Sequence, residues 1–262
     1  MEALLHQLQA FYLTLLWPFI RIAAALASAP ALGEMMVPLR ARLLLALILA
    51  MAVQPTLPAL PQIAPVSLHG LVTVAEQVLI GAMLGMVFHL VLAALQLAGS
   101  LVAAQMGLSM ATLNDPANGS SSDAMNALMY LIFMLLFFTL DGHLVLTQVL
   151  ARSFQVWPVG GAGLGTSALQ QLVLAVGWIF AAALMLALPF VFATMLVQIG
   201  SGFLNRAAPS LNLYSLGYSL IVVVGLMLVT LLVPTLPEHF VRMNAHVLDL
   251  LDLLAASSGA TP

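Results

Sequence analysis

From Leu71 to Ala104 the chain is apolar almost without interruption, and Glu76 is the only charged residue in the run. A helix needs about 20 apolar residues to cross the hydrocarbon core of a bilayer. This run is longer, so as a helix it must tilt, kink or project beyond the membrane. The rest of the chain has the same character. It is 63% hydrophobic and 6% charged over 262 residues, with a mean hydropathy of +1.14. No stretch is polar enough to surface a soluble domain. The reading is an all-α polytopic membrane protein of about six long, broken or tilted helices, packed as one bundle.

Taken in order, the first apolar segment covers about Phe11 to Ala31 and ends at Pro30 and Gly33. The N-terminal MEALLHQLQA holds Glu2 and no Arg or Lys, unlike a cleaved signal, so this segment is expected to be retained. Arg21 lies in its middle. A central arginine costs about 2.5–3.5 kcal/mol on insertion scales, so it should face protein, a carboxylate or water. Arg40 and Arg42 precede a short segment from about Leu43 to Val53, a candidate half-penetrating helix. Pro55, Pro58, Pro61 and Pro65 then make a loop. Within the long run, Gly81 and Gly85 form a GxxxG pair that lets helices approach closely. Glu76, Gln77, His89, Gln96 and Gln105 read better as polar glue than as a proton path.

A fourth segment, about Ala127 to Leu150, is broken at Asp141-Gly142-His143. A fifth, about Ala168 to Gly202, should kink at Pro189. A polar interruption carrying Asn205, Arg206, Pro209 and Asn212 follows. The sixth, about Ser219 to Val233, is stopped by Pro234 and Pro237. The tail from about Glu238 to Leu254 is amphipathic and is expected to lie on the membrane or against a partner. Arg40, Arg42 and Arg206 fall on one side of six spans, Arg152 and Arg242 on the other, which sets no orientation.

The stretch from Gln105 to Asn126, QMGLSMATLNDPANGSSSDAMN, separates two of the most apolar segments. Two readings are open. It is an ordinary external loop, or it lines a cavity at membrane depth, where irregular backbone survives only if protein or water satisfies it. Met106, Leu108, Met110 and Leu113 are apolar for a solvated loop, and Gly107 lets the backbone bend.

Charge and motif exclude several functions. There is no lysine and no basic run, so nucleic-acid binding has no footing. There is no cysteine, which removes disulfides and thiolate sites. Ser109 and Ser120 to Ser122 lack a GxSxG context, HExxH is absent, and His239 with His246 makes a poor metal pair. The glycines after Trp157 lack the GK[ST] of a phosphate loop. The residues therefore suggest no enzyme, metal or cofactor. A small proton-coupled transporter, with Glu76, His89 and Asp141 as coupling groups, stays open, although no internal repeat of the kind transporters show is visible.

Four patches in order resemble a known family. They are WPFIRIAAALASAPALGEMMVPLRAR, QMGLSMATLNDP, DGHLVL, and LALPFVFATMLVQIGSGFLNRAAPSLNLYSLGYS. The pattern Asn205-Arg206-Ala-Ala-Pro209-x-x-Asn212 is the most specific. Together they resemble the FliR family, inner-membrane components of the flagellar type III export gate, related to the export-gate subunit of virulence injectisomes. Relatives often carry Gly-Phe where this chain has Ser109-Met110, and Pro and Lys where it has Ser219 and Ile221. The resemblance implies a FliP-like portion over 1–151 and a FliQ-like portion over 152–262, in a single copy within a hetero-oligomer. The implied partners are FliP-type, FliQ-type and FlhB-type gate subunits, exported unfolded flagellar proteins and membrane lipid, at the basal body. It also implies that Gln105, Met106, Gly107, Leu108, Ser109, Met110, Asp115 and Pro116 belong to a channel plug. Arg21, Arg40, Arg42, Asn205, Arg206, Pro209 and Asn212 would hold helix breaks or neighbouring subunits.

Overall fold

A computed structural model describes residues 2–30, 32–33, 37–57, 61, 63–107, 124–161, 165–207 and 213–257. Among these the fold is helical, with α1 Glu2–Ser28, α2 Leu39–Val53, α3 Leu68–Gln105, α4 Ala124–Thr139, α5 Gly142–Val156, α6 Thr166–Ala207, α7 Leu213–Leu232 and α8 Leu236–Ser257. Four helical elements are long and apolar enough to cross a membrane, or five if α4 and α5 count as one span. The protein is thus an all-α polytopic membrane protein. The apolar part of α1 is shorter, Thr14–Ser28, whereas α2 with its following 3-10 turn, Leu39–Thr56, is long enough to span. Arg40 and Arg42 lie inside α2 rather than ahead of it.

The long run is one unbroken helix, α3. The break at Asp141 is present: Asp141 adopts a left-handed φ of 56° between α4 and α5. Aspartate tolerates this conformation better than most side chains, because its short polar group bonds locally. α6 runs continuously through Pro189.

Two expectations change. The polar interruption does not begin at Gly202, because α6 continues to Ala207, so Asn205 and Arg206 are helical. Ser201 keeps its hydroxyl within the helix by donating to the Gln198 carbonyl at 2.8 Å, so nothing polar there forces an end. The sixth segment does stop ahead of its prolines, because α7 ends at Leu232. Pro234 and Pro237 then fall in a 3-10 turn, Val233–Thr235, and in the first turn of α8. A missing N–H costs little at a helix start. Finally, the amphipathic tail turns its apolar stripe inward. Phe240, Met243, Val247, Leu250, Leu251 and Leu254 are buried within this chain, while Arg242, Asp249 and Asp252 face out. The spacing marked Phe240, Val247, Leu251 and Leu254 of this stripe, whereas Val241 and Leu248, expected with them, are exposed, and the chain itself supplies the cover.

Contacts divide the chain into two compact units. One comprises Met1–Leu90, Phe137–Ala175 and Asn244–Pro262, the other Val91–Leu136 and Val176–Met243. In the first, α1 lies against α3 through the glycine pair. A Cβ on Gly81 would meet the Arg21 carbonyl and the Ala24 methyl, and one on Gly85 would meet Ser28 Oγ and the Ala25 carbonyl. Ser28 Oγ also donates to the Ala82 carbonyl at 3.0 Å. In the second unit, α3, α4, α6 and α7 contribute to a cluster of Val102, Ala103, Met106, Met125, Met129, Ala187, Phe190 and Val229. Phe133 and Phe240 meet edge-to-face, their ring centres 5.7 Å apart.

Candidate functional site

Among the residues singled out by the sequence, Gln105, Met106 and Gly107 mark one place and Arg21 another, one in each unit. The first place is the start of the stretch between α3 and α4. α3 closes with Met106 N donating to the Val102 carbonyl at 3.0 Å and Gly107 N to the Ala104 carbonyl at 3.1 Å. Gly107 has φ +73°, the left-handed conformation that ends a helix without strain because glycine has no Cβ. Gln105 is half-buried and Met106 is 1% exposed.

Met106 does not project from the body. Its side chain fills the space beside Gly225 on α7. A Cβ on Gly225 would lie 2.8 Å from Met106 Cε and Cγ and 2.9 Å from its Sδ. The other end of the stretch is held in the same way. A Cβ on Gly99 of α3 would lie 2.7 Å from Met129 Cγ. Met106, Met125 and Met129 belong to one buried cluster. Leu108, Ser109, Met110, Asp115 and Pro116 lie outside the described residues.

The second place surrounds Arg21, which is wholly buried. Its Nε donates to Gln77 Oε1 at 2.7 Å, one terminal nitrogen to Ser153 Oγ at 3.2 Å, and the other to the Trp157 carbonyl at 2.7 Å. The guanidinium carbon sits 4.0 Å from the centre of the Phe154 ring. The arginine thus joins α1, α3, α5 and the turn after α5 through neutral groups and an aromatic face. Guanidinium suits this position because its planar fork reaches several acceptors while its face stacks. The polar character of Gln77 was visible in the sequence. Ser153, Phe154 and Trp157 carried no signal, being remote from Arg21 along the chain. Gly225 was likewise missed, inside a run that read as plain apolar helix.

The remaining residues are peripheral to these two places. Arg40 is exposed beside an apolar groove lined by Tyr12, Leu16, Phe19, Leu43 and Leu47. Arg42 donates to the Val37 carbonyl at 3.3 Å, tying the start of α2 to the segment before it. Asn205 and Arg206 are exposed in the last turn of α6. Pro209 and Asn212 lie outside the described residues. Among the described residues no group of three or more His, Cys, Asp or Glu is placed to hold a metal.

The family of bacterial export proteins, family 1, matches residues 12–247. Similar proteins include the flagellar biosynthetic protein FliR of Escherichia coli (strain K12), 35% identical over 235 residues, covering 90% of each chain. FliR of Pectobacterium carotovorum subsp. carotovorum is 35% identical over 246 residues, 93% of this chain and 94% of that one. FliR of Bacillus subtilis (strain 168) is 28% identical over 228 residues, 86% of each.

Proposed function

Because the chain belongs to the family of bacterial export proteins, family 1, we propose that it is a subunit of the flagellar protein-export gate. Its work is structural: it completes and seals a channel through which unfolded flagellar proteins cross the inner membrane, and it carries out no catalysis. The observation that carries this reading is the rooting of the stretch 105–126. Met106 at its start and Met125 at its end are held in one buried methionine-rich cluster. Leu108 and Met110 are the residues proposed to pack against apolar partner side chains. Methionine suits such a seal, because a flexible thioether repacks around a passing chain and returns. Asp115 and Pro116 set the turn.

The proposed neighbours are FliP-type, FliQ-type and FlhB-type subunits around a single copy of this chain, with 1–151 FliP-like and 152–262 FliQ-like. The large apolar surface that the chain leaves exposed supports this arrangement. Phe180, Met185, Phe192 and Phe203 of α6 are each more than 60% exposed. A surface of this kind needs lipid or protein against it.

The test replaces residues 108–116 with a Gly/Ser linker in the gate co-expressed with its neighbours. The assembled gate is expected to leak ions while still co-purifying. Membrane tightness equal to that of the unaltered gate overturns the sealing role. A chain that purifies alone, ignoring those subunits, overturns the gate.

A further inference from the structure

Gly225 lies in the interior of α7, among the valines and leucines of Leu213–Leu232. Glycine is a poor residue in the middle of a helix, where alanine orders the backbone at lower entropic cost. Its value here is the space it leaves. All three atoms nearest to an added Cβ belong to the Met106 side chain. None belongs to the backbone. Met106 in turn is the residue before Gly107, where the backbone turns left-handed out of α3.

We infer that Gly225 is a positioning residue for the seal: it is the seat that receives Met106 and so fixes the end of α3 at Gly107, from which the stretch begins. The inference rests on the sealing role proposed above. It reassigns Met106 from the sealing surface to the root of the stretch, because a side chain enclosed by its own chain has no free face to offer a partner. Gly99 plays the matching part at the far end, receiving Met129 of α4. A Met side chain has three rotatable bonds, so it enters such a notch without strain and is easily moved from it. A methyl group at position 225 therefore displaces Met106 rather than α7.

Three variants of the full gate test this beside the linker replacement of 108–116: Gly225→Ala, Met106→Ala, and Gly225→Leu combined with Met106→Ala. Each is co-expressed with the neighbouring subunits. Co-purification, thermal unfolding and ion leak are measured on the same preparations. Gly225→Ala is expected to co-purify normally, to unfold no earlier than the parent, and yet to leak. A purely structural glycine would move unfolding rather than leak. Met106→Ala is expected to leak as well, since the seat is then empty. In the double variant the leucine refills the notch from the opposite side, and tightness is expected to return part of the way.

If the linker replacement leaks but Gly225→Ala and Met106→Ala both stay tight, the positioning role is overturned and the sealing role stands. If the linker replacement itself stays tight, the sealing role falls and the inference falls with it. Should both point variants fail to assemble, the contact serves the fold alone, and the inference is again overturned.

Discussion

The Nε of Arg21 donates to Oε1 of Gln77 over 2.7 Å, joining α1 to α3 inside a region that holds no solvent-exposed part of either side chain. With Ser153 and the Trp157 carbonyl completing the set, a single charged group fastens three helices and a turn. Hydrogen bonds to a charged group are worth about 1.5–3 kcal/mol each, and part of that offsets the desolvation of the guanidinium. Arg21→Ala is therefore expected to destabilise the chain by roughly 3 kcal/mol or more. Arg21→Lys should recover little, because an ammonium cannot reach three acceptors and also stack on Phe154. Thermal or denaturant unfolding of the detergent-purified gate measures this. An Arg21→Ala variant as stable as the parent would remove the network from any account of the fold.

The approach of α1 to α3 makes a second, independent prediction. A side chain at Gly85 would collide with the Ala25 carbonyl of α1 and with the backbone nitrogen of Ala29, just past its end, at 2.8 Å. Backbone cannot step aside as Met106 can. Gly85→Val is thus expected to cost at least the roughly 1–3 kcal/mol typical of overpacking. Gly177 has nothing within 4 Å of an added Cβ. There, Gly177→Ala is expected to be neutral or to stabilise α6 by about 0.5–1 kcal/mol through helix propensity. The same unfolding assay compares the two. Equal losses at both positions would mean that the close approach of α1 and α3 does not decide the cost.

Much of this architecture could be read from the residues, for identifiable reasons. A charge inside an apolar run costs so much that Arg21 had to find partners, and the break at Asp141 followed from Asp-Gly placed between apolar segments. Part of the buried stripe of α8, Phe240, Val247, Leu251 and Leu254, followed from spacing alone. What stayed hidden was the identity of the partners. Ser153 and Trp157 contact Arg21 across separations of 132 and 136 residues, and nothing local to either residue records that. Gly225 was illegible for a similar reason. A helix glycine shows where a neighbour could come close, but not which neighbour comes.

Gly107 carries the third prediction. Its φ of +73° is open to glycine and costs other L-residues about 1–2 kcal/mol, with asparagine among the least affected. Gly107→Val is expected to loosen the end of α3, whereas Gly107→Asn should be tolerated. The readout is hydrogen exchange at the amides of Met106 and Gly107, which donate to Val102 and Ala104. Faster exchange in the valine variant than in the asparagine variant is the expected order. The reverse order would show that the left-handed turn does not hold this helix end.

The last prediction separates stability from assembly at the end of α6. Asn205 and Arg206 are exposed there, and Arg206 sits in the final turn. A cation at that place gains about 0.3–1 kcal/mol from the helix dipole. Removing it should cost the isolated chain no more than that. Gly200 and Gly202 beside them have open space where a Cβ would be, so the first carbon of a side chain at Gly200 meets no described residue of this chain. If a neighbouring subunit seats on this face, Gly200→Leu and Asn205→Ala with Arg206→Ala will leave unfolding almost unchanged. Co-purification of FliP-type and FliQ-type subunits will drop. Undiminished co-purification in both variants would mean that the end of α6 faces lipid or water, and that the family pattern at 205–212 acts within this chain.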